Sequence, residues 1–192
     1  MKTEPKIRRH RLAVARSLAF AILVALLLSS AAPAQAQKNS NFVTVSLNAN
    51  AKQSLSVTAA PALVNFNLIG AGGVAAGSVP ISITTSWNLN PPLTATTYAF
   101  FASAAVALTD GAGDNIDSSR VLGSVNGGAF TAFTGVGPFS VNTSVQIFSV
   151  RIKGFNRVGS NTDSLNLEID TTGLLLPAAI YSGLLIIQAQ AI

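Results

Sequence analysis

The sequence predicts an all-β protein, a single antiparallel β-sandwich of the immunoglobulin-like or jelly-roll-like kind. Three observations favour this fold class. Apolar and polar residues alternate along several short stretches, turns rich in glycine and proline separate those stretches, and no convincing helical pattern follows residue 36. A period of two is typical of strands with one buried face, and many short strands between regular turn signals indicate a sandwich.

The clearest strand is predicted over residues 79–89. Its odd positions are apolar except for Thr85, and its even positions are polar or proline. Trp87, the single tryptophan of the chain, lies on the apolar face. An indole side chain buries about 150–250 Å², so we expect Trp87 to pack between the two sheets and to organise the core. Proline cannot donate to a strand ladder, so Pro91-Pro92 is expected to end the strand.

The same alternation predicts further strands on both sides of this one. They cover residues 43–47, 55–59, 64–68, 98–108, 121–125, 129–133, 145–152, 165–169 and 181–192. The apolar run at 98–108 has no clear period, so it is compatible with a short helix as well as with a strand buried on both faces. Its aromatic residues favour the strand. Loops are expected at residues 70–77, 110–117 and 154–162.

Two local features refine these strands. Asn126-Gly127-Gly128 separates two of them and is typical of a tight hairpin, because two-residue turns need positive φ angles. Further along, the apolar phase slips by one residue between Ile147 and Phe148. Such a slip would turn the second half of the strand to the wrong face, so we predict a β-bulge at this point.

Residues 1–36 have the three parts of a secretory signal peptide. A basic region precedes an apolar stretch at residues 18–28, and small residues follow, ending in Ala34-Gln35-Ala36. The apolar stretch is shorter than the roughly 20 residues that a bilayer span requires. We therefore predict cleavage after Ala36 and a sandwich domain over residues 37–192. An uncleaved anchor, with the apolar stretch extended to residues 17–32, is the alternative.

The charge of the chain changes when this segment is set aside. The full sequence has a net charge of +5, but six of its twelve Lys and Arg residues and one of its seven Asp and Glu residues lie in residues 1–36. Six basic and six acidic residues remain, so residues 37–192 have a net charge of zero. A nucleic acid or an anionic membrane requires a dense basic footprint, and the composition supports neither as a partner.

The residues after the leader lack the usual catalytic groups. The single histidine, His10, lies in the leader, and the chain has no cysteine. This excludes Ser/His/Asp and Cys/His catalysis and the common zinc ligands from residues 37–192. Glu168 and Asp170 share one face of a predicted strand, which we interpret as a solvated face and not as a pair of catalytic carboxylates. The sequence therefore predicts a protein that is not an enzyme.

One cluster of carboxylates is a candidate metal site. Asp110, Asp114 and Asp117 lie in a glycine-rich stretch, and carboxylates on a flexible loop are the ligands that Ca²⁺ prefers. The spacing does not match an EF-hand, and Asp-Gly is also the plainest turn dipeptide. A simple turn is the favoured interpretation, and calcium is the alternative. No other cofactor is expected.

Two segments resemble bacterial surface proteins. Trp87-Asn88-Leu89 is similar to the Trp-x-Leu signature of WxL cell-surface domains. Residues 175–184 contain a proline, a tyrosine and the start of a final apolar strand, an ending similar to that of WxL and pilus-like sandwiches. The resemblance implies a β-sandwich displayed at a cell surface. The second Trp-x-Leu of the WxL family is missing, since the last strand reads Leu184-Leu185-Ile186-Ile187.

These observations favour a secreted, periplasmic or cell-surface protein with a structural or adhesive role. Its expected partners are envelope or surface proteins, or further copies of itself. Residues 42–47 are apolar at alternate positions and precede a polar spacer at 48–53, so this segment can pair with its own sheet or with the open edge of a neighbour. The alternative is an extracellular carbohydrate- or calcium-dependent binding module that uses the loops at 110–117 and 154–162.

Overall fold

The computed structural model describes residues 52–69 and 72–192, together with Thr44, Ser46, Leu47 and Ala49. The predicted signal peptide and its cleavage site lie outside the described residues. The strand predicted over 43–47 lies partly outside them, and its described residues, Thr44, Ser46 and Leu47, are not in a strand. Within the described part of the chain, no helix has both the length and the apolar character needed to cross a membrane.

The described strands are short and all of them pair in antiparallel fashion. In chain order they are β1 (Ser54–Ala60), β2 (Val74–Ala76), β3 (Ile81–Asn88), β4 (Thr94–Phe100), β5 (Leu108–Thr109), β6 (Asn115–Ile116), β7 (Val121–Val125), β8 (Thr131–Ala132), β9 (Ser144–Arg151), β10 (Val158–Asp170) and β11 (Ile186–Ala191). A 3₁₀ turn, Ser118–Arg120, precedes β7.

Two main sheets form the layers of the fold. The larger sheet has the order β1-β3-β10-β7-β8, and β2 pairs with the C-terminal end of β10. The smaller sheet has the order β11-β4-β9, and β5 and β6 form a separate ribbon. The prediction of an all-β fold with antiparallel sheets is confirmed. The long strand β10 extends through the larger sheet from one end of the sandwich to the other.

Strand β3 has the alternation that its sequence predicts. Ile81, Ile83, Thr85 and Trp87 are buried, and the residues between them are more exposed. Thr85 interrupts the apolar face because its hydroxyl shares a buried hydrogen bond of 2.8 Å with Thr97 of the opposite sheet. This pairing satisfies both hydroxyl groups inside the core. The strand ends before the two prolines, as predicted.

The predicted hairpin and bulge are both confirmed. Asn126 and Gly127 have φ angles of 53° and 73° and form a tight turn, closed by the hydrogen bond from the N–H of Gly128 to the carbonyl of Val125; β8 follows from Thr131 and pairs with Leu122 and Gly123 of β7. In the smaller sheet, Thr97 pairs with Phe148 and Tyr98 pairs with Gln146, so Ile147 is the extra residue of a β-bulge. The bulge lets Ile147 and Phe148 both turn inward although they are consecutive in the chain.

The strand predicted at residues 64–68 was wrong. Only Phe66 forms a bridge in this segment, with Gly77. The side chains of Val64, Phe66 and Leu68 nevertheless pack against the core. The alternation in the sequence therefore reports which side chains turn inward, and it does not report a continuous hydrogen-bonded ladder.

Other boundaries also differ from those predicted. Residues 74–76 of the predicted loop at 70–77 form β2, because pairing with β10 overrides the weak strand preference of small residues. The buried strand predicted at 98–108 is β4, which begins earlier and ends at Phe100. The loop predicted at 154–162 is shorter, since β10 begins at Val158. The last strand covers Ile186–Ala191 and not the whole of 181–192.

The core consists of two clusters, and Trp87 lies in the smaller one. The larger cluster contains Ile83, Phe133 and Leu165, which are fully buried, and other apolar residues of both sheets. Trp87 is 8 % exposed and packs with Leu89, Ala95 and Ile152 at one end of the sandwich. The expectation that Trp87 is buried is confirmed, but the expectation that it organises the main core was wrong.

Candidate functional site: an open apolar groove

The two sheets separate at the end of the sandwich where β10 ends. They leave a groove of about 770 Å³ between residues 61–68 on one side and residues 179–187 on the other. Core residues of both sheets form its floor, among them Ile81, Leu167 and Phe101. We call this end of the molecule the groove pole. The groove is continuous with the hydrophobic core and is not a shallow depression of the surface.

The first wall of the groove follows directly from β1. Pro61 stops that strand, and the chain then runs beside Gly77 and Ser78. Ser78 donates its backbone N–H to the carbonyl of Asn65, and Asn65 donates its own N–H to the Ser78 hydroxyl. A Cβ atom at Gly77 would lie 2.8 Å from a methyl group of Val64. Glycine is therefore required for this close approach.

The second wall leads into β11. Ser182 and Thr109 exchange two backbone hydrogen bonds of 2.9 Å, which fix the segment beside the β5–β6 ribbon. Gly183 lies against the carbonyl oxygen of Ala107, so closely that a Cβ atom would overlap it. Beyond these contacts the segment forms no ladder until Ile186. The wall is thus attached at one point and presents its side chains to the groove.

Large apolar side chains surround the mouth of the groove and face solvent. Ile180 is 88 % exposed, and Leu63 and Leu184 are also largely exposed. Val64, Phe66 and Leu185 are half-buried on the inner side. Scattered apolar residues are common on protein surfaces, but a contiguous apolar patch that continues into the core is typical of an interaction site.

An open strand edge lies beside the groove. Thr94 and Ile192 donate backbone hydrogen bonds to each other, at 2.7 and 3.1 Å. Because antiparallel pairs alternate, Ile187, Ala189 and Ala191 must then direct their N–H and C=O groups away from β4. No described strand is hydrogen-bonded to that side of β11. β1 of the larger sheet lies close beside β11, so a further strand that adds to the smaller sheet here must move these two strands apart.

The surface of the groove is mixed, with only slightly more apolar than polar area, and its wall has one titratable group. Desolvation raises the pKa of Tyr181 above its ordinary value, and the negative charges of Asp114 and Asp110 raise it further. The hydroxyl of Tyr181 donates a long hydrogen bond to the carbonyl of Pro177. Tyr181 is thus neutral across the physiological range, and no charged side chain is among the described residues that line the groove.

The three aspartates proposed as calcium ligands are placed in and after a turn. Oδ1 of Asp110 accepts the backbone N–H groups of Ala112, Gly113 and Asp114. These hydrogen bonds lower the pKa of Asp110, the bond from Ala112 most strongly. Among the described residues, no group of three or more Asp, Glu, His or Cys side chains is arranged to hold a metal ion. Calcium binding by Asp110, Asp114 and Asp117 stays the untested alternative to a simple turn.

The second carboxylate pair lies on the outer part of β10. The hydroxyl and the backbone N–H of Thr172 lower the pKa of Asp170, and Arg120 contributes through its charge. The guanidinium of Arg120 is itself fixed to the carbonyl of Thr172 at 3.0 Å. Glu168 pairs across the sheet with Leu122 and Ala76. The pair stands on one strand face, as the sequence predicts, and the apolar groove is lined by neither residue.

Comparison of the chain with protein-family models, with curated proteins and with solved structures gives no match. The resemblance to WxL and pilus-like domains therefore stays a prediction that rests on Trp87-Asn88-Leu89 and on residues 175–184. In the structure, Trp87 and Leu89 are core residues, and Leu175 and Ile180 are exposed.

The groove is the feature that the sequence did not predict. Its walls were interpreted as a strand at 64–68 and as the first half of a strand at 181–192. One signal was available. Residues 174–187 contain eight Leu and Ile residues and almost no polar ones, more apolar side chains than an edge strand of a sandwich buries on its single inner face.

Proposed function

We propose that this protein is a secreted, non-enzymatic structural or adhesive protein of a bacterial surface, and that its copies assemble by strand pairing. The observation that supports the proposal most directly is the apolar groove beside the free edge of β11. An added strand there satisfies the outward backbone groups of Ile187, Ala189 and Ala191. Its alternate side chains also cover apolar surface that is otherwise exposed to water.

The strand that we assign to the groove is residues 43–47 of a neighbouring copy. Val43, Val45 and Leu47 are apolar at alternate positions, as a strand with one inner face requires. The segment has five residues, about 17 Å of extended chain at 3.3 Å per residue. This matches the five residues from Ile187 to Ala191 along the free edge.

The spacer between the segment and β1 favours a neighbouring copy over the segment's own chain. The spacer at 48–53 has six residues and contains neither glycine nor proline, whereas tight hairpins usually have two to five loop residues with glycine at a positive φ. The spacer therefore suits an arm that extends to another molecule.

Light scattering on the protein as secreted, residues 37–192, over a range of concentrations tests this proposal. Wild type is expected to form species larger than a monomer. The variant Val43→Asn/Val45→Asn places polar groups on the apolar face of the arm and is expected to remain monomeric. The matched variant Thr44→Asn/Ser46→Asn changes the opposite face and is expected to assemble as wild type does.

Deletion of residues 37–53 completes the test. The shortened chain keeps the groove and lacks the arm, so it is expected not to assemble with itself but to bind the wild type. A wild type that is strictly monomeric at high concentration, with no change on the deletion, would contradict assembly. Reproducible binding to a glycan array at millimolar Ca²⁺ by a monomer would instead favour the binding-module alternative.

A further inference from the structure

The charged residues of the domain are separated between its two ends. Lys52 precedes β1. Ser54, at the start of β1, pairs with Asn88 of β3, and Asn88 also pairs with Val158 at the start of β10, so these residues lie at the same end of the larger sheet. The other three cations, Arg151, Lys153 and Arg157, lie at the end of β9 and in the turn to β10, at this same end. We call this end the basic pole. All four of its cations are exposed.

The carboxylates lie at or near the groove pole. Twelve residue steps, about 40 Å at 3.3 Å per residue, separate Val158 from Asp170 along β10. Glu168 and Asp170 lie at the far end of that strand, and the turn of Asp110 and Asp114 lies beside the groove wall at Ser182. Five carboxylates and one cation belong to this end. They are Asp110, Asp114, Asp117, Glu168, Asp170 and Arg120.

The remaining carboxylate does not neutralise the basic pole. Asp163 is 5 % exposed and accepts hydrogen bonds from the amides of Asn126 and Asn161. The zero net charge of residues 37–192 therefore conceals an excess of about four positive charges at one end and four negative charges at the other. A carboxylate on Ile192, which pairs with Thr94 at the basic pole, would reduce the positive excess by one.

The basic pole also presents an aromatic side chain on a rigid turn. Phe155 is 85 % exposed, and the ammonium group of Lys153 lies 5.9 Å from the centre of its ring. Asn156 fixes the turn: its amide donates to the carbonyl of Arg151, and its own carbonyl accepts the indole N–H of Trp87 at 2.9 Å. Phe and Arg are enriched in the central parts of protein interfaces, and this turn carries both.

We propose that the basic pole of one copy docks on the groove pole of the next, so that the chain associates head to tail with itself. This inference rests on the proposed function and names the second surface of the same assembly. The arm at 43–47 leaves the domain at the basic pole, because β1 begins there. The seven steps from Leu47 to Ser54 span at most about 25 Å. An arm engaged in a neighbour's groove therefore keeps its own basic pole near that neighbour's carboxylates.

The opposite charges orient the two molecules before the arm engages. Complementary poles accelerate diffusional encounter by about 10–10³-fold at low salt, and the effect is lost when ions screen the charges. A like-charged contact, basic pole to basic pole, is disfavoured. The charges thus select the head-to-tail orientation over a symmetric pair of basic poles.

A charge-exchange experiment on the protein as secreted, residues 37–192, tests this contact. Lys153→Glu/Arg157→Glu is expected to slow self-association at least tenfold at 50 mM NaCl and to remove most of its dependence on salt. Asp114→Lys/Asp117→Lys is expected to do the same. Mixed together, the two variants bring complementary poles into contact, and the rate is expected to recover. The matched control is Thr162→Glu, which adds a negative charge to an exposed residue of β10 between the two poles and is expected to leave the rate near that of wild type.

The outcomes separate this inference from the proposed function. If Val43→Asn/Val45→Asn abolishes association while the charge variants associate as wild type does at every salt concentration, strand pairing stands and the docking of the poles is refuted. If mixing the two charge variants gives no recovery, the poles do not meet. Binding of the wild type to vesicles of phosphatidylcholine and phosphatidylglycerol, lost in Lys153→Glu/Arg157→Glu and without self-association, would assign the basic pole to an anionic membrane and overturn the proposal.

Discussion

Replacing Gly159 with alanine is expected to destabilise the fold more than its small volume suggests. Gly159 is the direct cross-strand neighbour of Trp87 in β10. A Cβ atom built on it would lie 2.5 Å from Cζ2 and 2.9 Å from Cε2 of the indole. The backbone of Gly159 needs no positive φ, so the expected effect comes from this overlap and not from backbone strain.

The structure gives the size of the effect. Overpacking of this kind costs about 1–3 kcal/mol. Moving the indole also weakens its hydrogen bond to Asn156, worth about 1 kcal/mol, and its stacking on Phe148 at 5.5 Å, worth about 0.5–1.5 kcal/mol. We therefore expect Gly159→Ala to lower the free energy of unfolding by about 2–4 kcal/mol.

Urea unfolding followed by the fluorescence of the single tryptophan measures this change. Gly154→Ala is the matched control, because a Cβ atom there meets no atom within 4 Å. It is expected to change stability by less than about 0.5 kcal/mol. In the Trp87→Phe background, followed by circular dichroism, Gly159→Ala should have a much smaller effect. A loss below about 0.5 kcal/mol in the wild-type background would refute the packing of Trp87 against β10.

Three further predictions follow from single residues. Ile83 is completely buried in the larger cluster, so Ile83→Ala is expected to cost about 2–5 kcal/mol in urea unfolding, and a loss below 1 kcal/mol would contradict its place in the core. The lowered pKa of Asp170 means that its interactions with Thr172 and Arg120 stabilise the fold above pH 3.8 and are lost as the pH falls through the lowered pKa. Asp170→Asn should therefore lower the free energy of unfolding at pH 7 and should weaken the loss of stability between pH 4 and pH 2. Parallel curves of unfolding free energy against pH for the two proteins would argue against the interaction. Because Oδ1 of Asp110 already accepts three backbone N–H groups, calorimetric titration with Ca²⁺ is expected to give no binding heat, and a saturable heat lost in Asp114→Asn would restore the calcium interpretation.

The strands were predictable where burial and pairing coincide. In β3 and β10, one face is in the core and both edges are paired, so inward side chains and ladder residues show the same alternation. In the segment around Phe66, burial occurs without strand pairing, because its side chains turn inward while its backbone pairs at only one bridge. β2 is the reverse case, in which small residues pair with β10 although their sequence predicts a loop.

The candidate site was less predictable for a different reason. A groove between two sheets depends on the distance between segments such as 61–68 and 179–187. The alternation of apolar and polar residues within one segment does not reveal that distance.

The distribution of charges was not predictable from the sequence either. Their sum over residues 37–192 is zero, but the register of β1, β3 and β10 places Lys52 and Arg157 at one end and Asp170 at the other. Only the topology reveals that separation.

The head-to-tail arrangement makes one more prediction, because its two contact surfaces are different. A contact between two different surfaces does not close on itself and gives an open filament, whereas identical surfaces give a closed dimer. The chain without residues 37–53 has a groove but no arm, so it can end a filament and cannot extend it. Adding it to the wild type at one part in ten should shorten filaments, as measured by light scattering or negative-stain electron microscopy. A closed dimer would show no such effect at this ratio, since most wild-type copies would still find each other, and that result would exclude the open assembly.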